Sequence, residues 1–417
     1  MRILLLNQAF PPDVVSTAQH AGDLAAELAA RGHDVTVVSS RRAYDDPSVR
    51  FTASETWNGL RILRIRCSGF GKGARWRRAM DSATFFASCF LQLVRLPRFD
   101  AVISMTSPPL ISVLAAVFSR RWAARLMLWV MDLNPDEAMA AGWLRERSAT
   151  ARLLERCLRY SLEGAQAIIA LDRFMKERIA TKGIEEGKIR VIPPWSHDSA
   201  VCHDPEGRAS FRRHHGQEGK FVVTYSGNHS PCHPLDTLLA AAGCLSRRQD
   251  IGFCFIGGGS EFARVQRLAG HGGLGNVLCL PYQPFDQFSA SLSAADLHVV
   301  VMGDPFVGIV HPCKIYNILR LGIPFLYIGP PESHVTEMLP PEAVGRWAHL
   351  FRHGDVEGVA QCIERCADSG LQRSEQEIQV GRRFSQKLLL PRMVELLENR
   401  VNAPDAGASG FTAYAGR

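Results

Sequence analysis

Several features that would assign a function at once are missing from this 417-residue sequence. Its eleven cysteines are scattered and contain no Cys-x-x-Cys pair, while Cys362 and Cys366 are spaced for one helix face rather than for a metal knuckle. This usage favours a reduced, cytosolic compartment. The longest uncharged stretch, residues 101–119, approaches the roughly 18 residues of a membrane span but is interrupted by Ser-Pro-Pro at 107–109. It predicts a strand, a loop and a helix instead.

The N-terminal residues also lack two familiar signatures. MRILLLNQAF has too short an apolar run for a signal-peptide core, so we expect a first β-strand there. A nicotinamide-dependent oxidoreductase would carry a glycine fingerprint on its first strand-to-helix turn, and Asn-Gln-Ala-Phe-Pro-Pro at 7–12 has none. That class is therefore disfavoured.

Charge is distributed unevenly along the chain. Residues 1–200 hold 28 Lys and Arg against 20 Asp and Glu, whereas the remainder is nearly balanced. A cationic amphipathic stretch suits the surface of an anionic bilayer, and a buried crossover helix with a solvated basic loop is the alternative. No nucleic-acid motif accompanies the charge, so nucleic acid is not an expected partner. The stretch contains the basic residues Lys72, Arg75, Arg77, Arg78, Arg95 and Arg98 and the apolar residues Phe85, Phe86, Phe90, Leu91 and Leu93.

Short apolar runs alternate with segments of helical period, which predicts an α/β protein with two Rossmann-like, doubly wound domains facing across a cleft. We expect domains at 1–195 and 196–383, a C-terminal helix at 384–401 that packs back on the first domain, and a disordered tail at 402–417. Residues 196–219 have no sustained apolar period and predict a linker or irregular domain edge. Strands are predicted at 2–6, 34–39, 61–66, 101–104, 125–130, 167–170, 188–192, 220–225, 252–256, 276–280, 297–301 and 324–328.

Two glycine turns in the second half are candidates for nucleotide binding. The predicted strand at 220–225 leads into a turn that contains Gly227-Asn228-His229, and the next predicted strand, at 252–256, is followed by Gly257-Gly258. Nucleotides bind beyond the carboxyl ends of parallel strands, where glycine permits close backbone approach and a helix N-terminus attracts phosphate. An ordinary strand-to-helix turn is the open alternative.

A third segment, His311-Pro312-Cys-Lys314-Ile-Tyr316-Asn317, places a lysine at the start of a short helix. The lysine charge and the helix dipole would act on the same anion, which predicts a clamp for a diphosphate. A solvated residue at the start of a helix is the alternative for Lys314.

Together these segments resemble the retaining nucleotide-sugar glycosyltransferases of family 4, particularly the branch that builds bacterial surface polysaccharides. The resemblance covers most of the chain. It implies the GT-B fold, an acceptor site in the N-terminal domain, a donor site in the C-terminal domain and metal-independent transfer. The matching segments are QAFPPD at 8–13, LAARGHDVTVVS at 28–39, SPPL at 107–110, MDLNPD at 131–136, IRVIPPW at 189–195, YSGN at 225–228, AAD at 294–296 and PCKIY at 312–316.

The resemblance also implies roles for particular residues. Asp132 follows a strand in an Asp-Leu-x-Pro segment and is the expected base for the acceptor hydroxyl, with Lys314 as the second catalytic residue. Asp132 as a helix cap or loop-ordering residue is the alternative, and Asp136 and Glu137 are second choices, expected as solvated charges. The expected acceptor-binding residues are Pro12, Ser107, Pro108 and Asp136. The expected donor-binding residues are Gly227, Asn228, His229, Gly257, Gly258, His311, Pro312, Lys314, Tyr316 and Asn317.

The sequence departs from this family at three places. Asn317 stands where many relatives have the second Glu of an E-x7-E pair, no Arg or Lys follows the Gly227 turn, and no glycine lies between Pro12 and His20. A catalytically inactive GT-B scaffold is therefore the rival hypothesis. We otherwise expect a UDP- or GDP-sugar donor, a lipid-linked or glycan acceptor, no cofactor and no metal, in a cytoplasmic protein peripheral on the inner face of the membrane.

Overall fold

Two β-sheets, one in each half of the chain, organise the protein in the computed structural model, which describes residues 1–44, 46–71, 75–197, 200–271 and 273–399. The first sheet has the order β3-β4-β2-β1-β5-β6-β7-β8, and all its neighbours are parallel except β3 and β4. Its strands are β1 (Arg2–Leu6), β2 (Asp34–Ser40), β3 (Ser54–Trp57), β4 (Leu60–Ile65), β5 (Ala101–Ser104), β6 (Arg125–Trp129), β7 (Ala167–Ala170) and β8 (Ile189–Val191).

Helices cover this first sheet, which explains why its central strands are apolar on both faces. Strands β5 and β7 are buried at every residue. The helices are α1 (Ser16–Ala30), α2 (Arg75–Arg95), α3 (Ile111–Trp122), α4 (Asp136–Ala140), α5 (Ala149–Gly164) and α6 (Arg173–Thr181).

The second sheet is entirely parallel, in the order β11-β10-β9-β12-β13-β14. Its strands are β9 (Phe221–Asn228), β10 (Ile251–Gly258), β11 (Val277–Leu280), β12 (Leu297–Val301), β13 (Phe325–Ile328) and β14 (Ala348–Phe351). The helices of this half are α7 (Pro205–His214), α8 (Asp236–Cys244), α9 (Phe262–His271), α10 (Phe288–Ser293), α11 (Lys314–Leu321), α12 (His334–Glu337), α13 (Val356–Ser369), α14 (Glu375–Arg382) and α15 (Gln386–Glu398). The predicted α/β class with two doubly wound sheets is confirmed.

Among the elements that were not predicted, β3, β14 and α7 are polar or short. Strands β3 and β14 are four-residue edge strands of their sheets. Helix α7 lies within 196–219, where only a linker or irregular edge was expected. Asp204 caps it by accepting from the Gly207 N–H, and Arg208 and Arg212 each lie 2.5 Å from the Asp296 carboxylate. Ion pairs rather than an apolar stripe hold α7, so the apolar pattern does not reveal it.

The C-terminal helix α15 contacts α1 of the first half. Glu398 lies 3.0 Å from the Arg31 guanidinium and 2.9 Å from the His33 ring, while Arg125 donates to the Leu397 carbonyl at 2.9 Å. The chain therefore crosses between the halves twice, once after β8 and once before α15. The tail at 402–417 lies outside the described residues.

In the described part of the chain, no helix combines the length and the apolar content that a membrane span requires.

Candidate functional site

A cavity of about 370 Å³ opens between the two sheets. The loops that follow β1, β5, β6 and β8 form one wall, and the loops that follow β9, β11 and β12 form the opposite wall. These loops leave the carboxyl ends of parallel strands, which is where open α/β sheets place their ligands.

Lys314 brings an ammonium group into this cavity from the first residue of α11. Its Nζ is buried and lies 3.4 Å from the centre of the Tyr225 ring, and within the described residues no acceptor is in hydrogen-bond range of it. Burial holds the pKa of Lys314 well below its usual value. The alternative of a solvated lysine is therefore wrong, because the structure shows a buried amino group that packs on a π-face beside the N-terminus of α11. Such a group attracts an anion of matching size.

Gly227 and Gly257 let the backbone approach this lysine closely. Both have positive φ, at 137° and 139°, and they pair with each other in the β9–β10 ladder. A Cβ on Gly257 would lie 2.0 Å from the Gly227 carbonyl oxygen, and one on Gly227 would lie 3.0 Å from Lys314 Nζ. Any side chain at either position would push the strands apart or displace the lysine.

Three histidines surround the lysine as neutral rings. Each has a ring nitrogen within 3.0 Å of a backbone carbonyl oxygen. Burial, with the Lys314 charge second, lowers the pKa of His229 to about 4 and that of His233 to about 3, and burial lowers the pKa of His298 to about 4. His229 and His233 are thus structural rather than solvated. His229 holds the glycine turn through the Gly227 carbonyl, and none of the three neutral rings adds positive charge.

The lysine loop is tied to the first half of the chain through His311. The His311 Nδ1 lies 2.7 Å from the Asp172 carboxylate, and its Nε2 lies 2.6 Å from the Tyr316 hydroxyl. Although burial alone would raise it, the hydrogen bond with His311 holds the pKa of Asp172 below its usual value. The ring stacks on His334 at 3.7 Å, and Asp172, His311 and His334 offer three possible metal-ligand atoms close together. Since both His311 nitrogens already have partners, the observed arrangement positions the loop that carries Lys314.

The predicted donor-binding residues divide into two groups. Asn317, at the position of the family's second Glu, accepts from the His197 N–H at 3.2 Å and lines the cavity. Gly227, Asn228, His311, Pro312, Lys314 and Asn317 form part of the wall, whereas His229, Gly257, Gly258 and Tyr316 lie outside it.

Asp132 lies on the opposite wall, after β6. Its N–H donates to Thr106 Oγ1 at 3.1 Å, which fixes the loop. Helix α4 has Pro135 at its N-cap, so Asp132 does not cap it. Burial, with the Glu137 carboxylate second, raises the pKa of Asp132 to about 8. A carboxyl that titrates near neutrality can take up or release a proton during catalysis.

The predicted acceptor-binding residues are not brought together. Ser107 lines the cavity, whereas Pro108 is buried outside the cavity wall and Pro12 is exposed beyond it. Asp136 is buried, and its carboxylate is 2.8 Å from Lys182 Nζ. It is therefore an ion-paired residue in the first turn of α4 rather than the solvated charge that was expected.

The sequence analysis did not identify several residues of the cavity wall. His20, on the buried face of α1, shares a hydrogen bond with the Trp195 carbonyl at 3.1 Å, and burial lowers its pKa to about 4. His20 is a single histidine among the alanines and leucines of α1, and this pattern could have identified it as a candidate site residue. Tyr282 and Phe285 add aromatic surface beyond β11, and Phe285 is 52% exposed.

Comparisons with known proteins agree on one class. The family model of the glycosyl transferase 4-like domain matches residues 17–195. WcaI of Escherichia coli K12, named for colanic acid biosynthesis as a glycosyl transferase, is 24% identical over 341 residues, which cover 77% of this chain and 82% of the relative.

Solved structures share the two-sheet arrangement. A sucrose-phosphate synthase from Thermosynechococcus elongatus superposes with a TM-score of 0.74 at 16% identity, over 95% of this chain and 98% of that one. HepE of Anabaena, solved in complex with UDP and glucose, superposes with a TM-score of 0.70 at 15% identity, over 95% and 99% of the two chains. At these identities the likeness establishes the fold.

Proposed function

We propose that this chain is a family 4 glycosyltransferase of the GT-B fold, and that it transfers a hexosyl or N-acetylhexosaminyl group from a nucleoside-diphosphate sugar with retention of configuration and without a metal. It acts in the synthesis of a bacterial surface polysaccharide, as the name of the colanic acid relative indicates for that protein. The observation that carries the proposal is the buried amino group of Lys314 at the cavity wall, which has no hydrogen-bond partner among the residues that the structure describes.

The donor diphosphate is assigned to the space between Lys314 and the Gly227 turn. A diphosphate there supplies the negative charge that the buried ammonium lacks, and the N-terminus of α11 adds free N–H groups directed at the same oxygens. Gly227 lines the cavity, and with no side chain of its own it puts nothing between its backbone and the Lys314 amino group. As the bond from the anomeric carbon to the phosphate oxygen breaks, charge grows on the leaving diphosphate, and Lys314 stabilises it in place of a metal.

UDP is the favoured nucleotide because the similar Anabaena structure was solved with UDP and glucose. Phe285 and Tyr282 offer aromatic faces on which a base stacks. Asn317 is placed to bond a ribose hydroxyl, which it does without the charge assistance of a glutamate.

Asp132 receives the proton of the acceptor hydroxyl. In this step the acceptor oxygen bonds to the anomeric carbon on the face that the diphosphate leaves, the old bond to phosphate breaks, and the hydroxyl proton moves to the Asp132 carboxylate. A raised pKa makes Asp132 a stronger base once it is deprotonated.

The acceptor is a lipid-linked sugar, and α2 brings the protein to the inner face of the membrane. Phe85, Cys89 and Leu93 bury one face of α2 in the core. Its other side exposes the large apolar residues Trp76, Met80, Phe90, Leu91 and Val94. Basic residues beside these side chains favour an anionic bilayer. Lys72 lies outside the described residues. Arg75 is the first residue of α2.

An inactive scaffold is the second candidate, and Asn317 in place of the acidic partner favours it. Stabilisation by nucleotides separates the two: a scaffold that has lost the donor site gains no thermal stability from UDP, GDP or their sugars.

The direct test is a screen of radiolabelled nucleotide sugars with membrane extract as acceptor. We expect one donor to label the lipid fraction, and Lys314→Ala and Asp132→Asn each to reduce transfer strongly. Lys387→Ala, an exposed lysine on α15, and Asp304→Asn, an exposed aspartate, are the matched controls and should keep wild-type rates. Wild-type transfer by both site variants would refute the assigned site.

A further inference from the structure

A second group of chemically reactive side chains lies in the C-terminal half, outside the cleft. It consists of His349 on the edge strand β14 and of Cys362 and Cys366 on α13, and none of the three lines the cavity. One possible ligand atom of each residue lies within 4.8 Å of those of the other two.

Local structure explains why these three residues meet. Cys362 and Cys366 are four residues apart, so both thiols project from the same face of α13. That face packs inward, since Cys362 is 2% and Cys366 4% exposed. His349 extends from β14, which contacts α13, and it is only half-buried. The cysteine spacing alone did not indicate a metal, because the third residue comes from a different element.

Two of the three distances between the ligand atoms are close to those within a tetrahedral zinc centre. Zn–S bonds of about 2.3 Å and Zn–N bonds of about 2.0 Å at tetrahedral angles place two sulfurs about 3.8 Å apart and a sulfur and a nitrogen about 3.5 Å apart. Here the Cys362 and Cys366 sulfurs are 3.9 Å apart, and Cys366 Sγ lies 3.7 Å from His349 Nε2. The sulfurs are too far apart for a disulfide, whose S–S bond is about 2.05 Å.

We propose that His349, Cys362 and Cys366 bind one zinc ion, or another thiophilic divalent ion, with the fourth ligand supplied from the solvent side of His349. Binding Zn²⁺ releases two thiol protons, so two thiolates and a neutral imidazole leave the centre without net charge. A neutral centre suits a position where both sulfurs are buried. The ion ties the edge strand β14 to α13, and the half-buried histidine gives it a path of entry.

The test uses the full-length protein, reduced, stripped of metal by a chelator and titrated with Zn²⁺ against a chromophoric indicator. We expect one ion per chain, with binding lost in the C362A/C366A double variant. Cys244→Ala, which removes an exposed cysteine of α8, is the control and should bind normally. Transfer activity is not the readout, so failure here leaves the proposed function standing.

The double variant could lose zinc binding simply because it does not fold. Co²⁺ titration of the wild-type protein is therefore a second test that does not depend on this variant. Two thiolate ligands in a tetrahedral field give intense visible d–d bands and sulfur-to-cobalt charge transfer, and His349→Gln should weaken Co²⁺ binding and alter the bands while both thiols remain. Wild-type protein that binds neither ion stoichiometrically, or that binds Co²⁺ with an all-oxygen spectrum, overturns the proposal. Undiminished binding in the double variant overturns it as well.

Discussion

Replacing Lys314 by methionine should make the free protein more stable and weaken its response to nucleotide. The side chain buries an ammonium whose Nζ has no hydrogen-bond acceptor among the described residues. Methionine has a similar length and flexibility and carries no charge, so it keeps the contact with Tyr225. A buried polar group without a partner costs about 1–3 kcal/mol, and this is the gain in unfolding free energy that we expect at pH 7.

The gain should depend on pH in a defined direction. Burial lowers the pKa of Lys314 in the folded protein, whereas the unfolded chain titrates near its ordinary value of about 10.4. The unfolding free energy of the wild type is therefore highest above the pKa that Lys314 has in the unfolded chain. It decreases as the pH falls towards and through the lower pKa that Lys314 has in the folded protein. The difference between Lys314→Met and wild type should shrink as the pH rises from 7 towards 10.

Urea denaturation at several pH values measures this difference, and thermal unfolding with and without UDP measures the ligand response. UDP should stabilise the wild type and stabilise Lys314→Met much less, because the variant lacks the positive charge that we assign to the diphosphate. Lys387→Met, on the exposed side of α15, should alter neither quantity. A destabilised free variant, or one that keeps the wild-type UDP shift, would refute the reasoning.

Four further predictions follow from the same geometry. The kcat/KM for transfer should rise with pH through an apparent pKa of about 8, since deprotonated Asp132 is the base, and Asp132→Asn should abolish that rise in a pH–rate profile. Gly227→Ala should lower the unfolding free energy by about 1–3 kcal/mol and raise the KM for the donor, because its φ is 137° and the new methyl meets the lysine; steady-state kinetics and urea melts with unchanged values would contradict this. Glu377 is fully buried, and burial raises the pKa of its carboxyl group well above normal. The stability that Glu377 contributes is therefore complete below about pH 4.3, the usual pKa of a glutamate, and is lost as the pH rises. Glu377→Gln should raise the unfolding free energy by about 1–3 kcal/mol at pH 7 and by much less at pH 4, measured in the same urea melts. Leu91→Glu with Val94→Glu on the exposed side of α2 should weaken sedimentation with anionic vesicles while leaving soluble UDP binding intact, and undiminished sedimentation would exclude α2 as the membrane surface.

The sequence predicted the elements whose pattern is strictly local. Strands at 101–104, 167–170 and 297–301 were predicted to the residue because each is a short apolar run bounded by polar or turn residues. Strand β9 was predicted to end at Tyr225, yet it continues through Gly227 to Asn228 because the ladder with β10 includes both glycines. Glycine indicates a turn by propensity, while cross-strand pairing decides where the strand ends.

In the candidate site, too, local sequence patterns predicted some features, whereas contacts between distant residues could not be predicted. Lys314, Gly227 and Asp132 each follow or begin a predicted element, so chain order was enough to place them at the cavity. The contact between His311 and Asp172 joins residues 139 positions apart. It depends on how the two halves face each other, which no local pattern records.

The two crossings of the chain between its halves lie side by side. The Ser196 N–H donates to the Phe384 carbonyl at 2.9 Å, and the adjoining residues form a short parallel bridge. Two neighbouring covalent connections resist twisting and sliding of one lobe against the other but leave rotation about a single axis through the pair. A rotation about that axis is therefore the relative movement of the two halves that the paired crossings restrict least, and it would change the width of the cavity between the sheets.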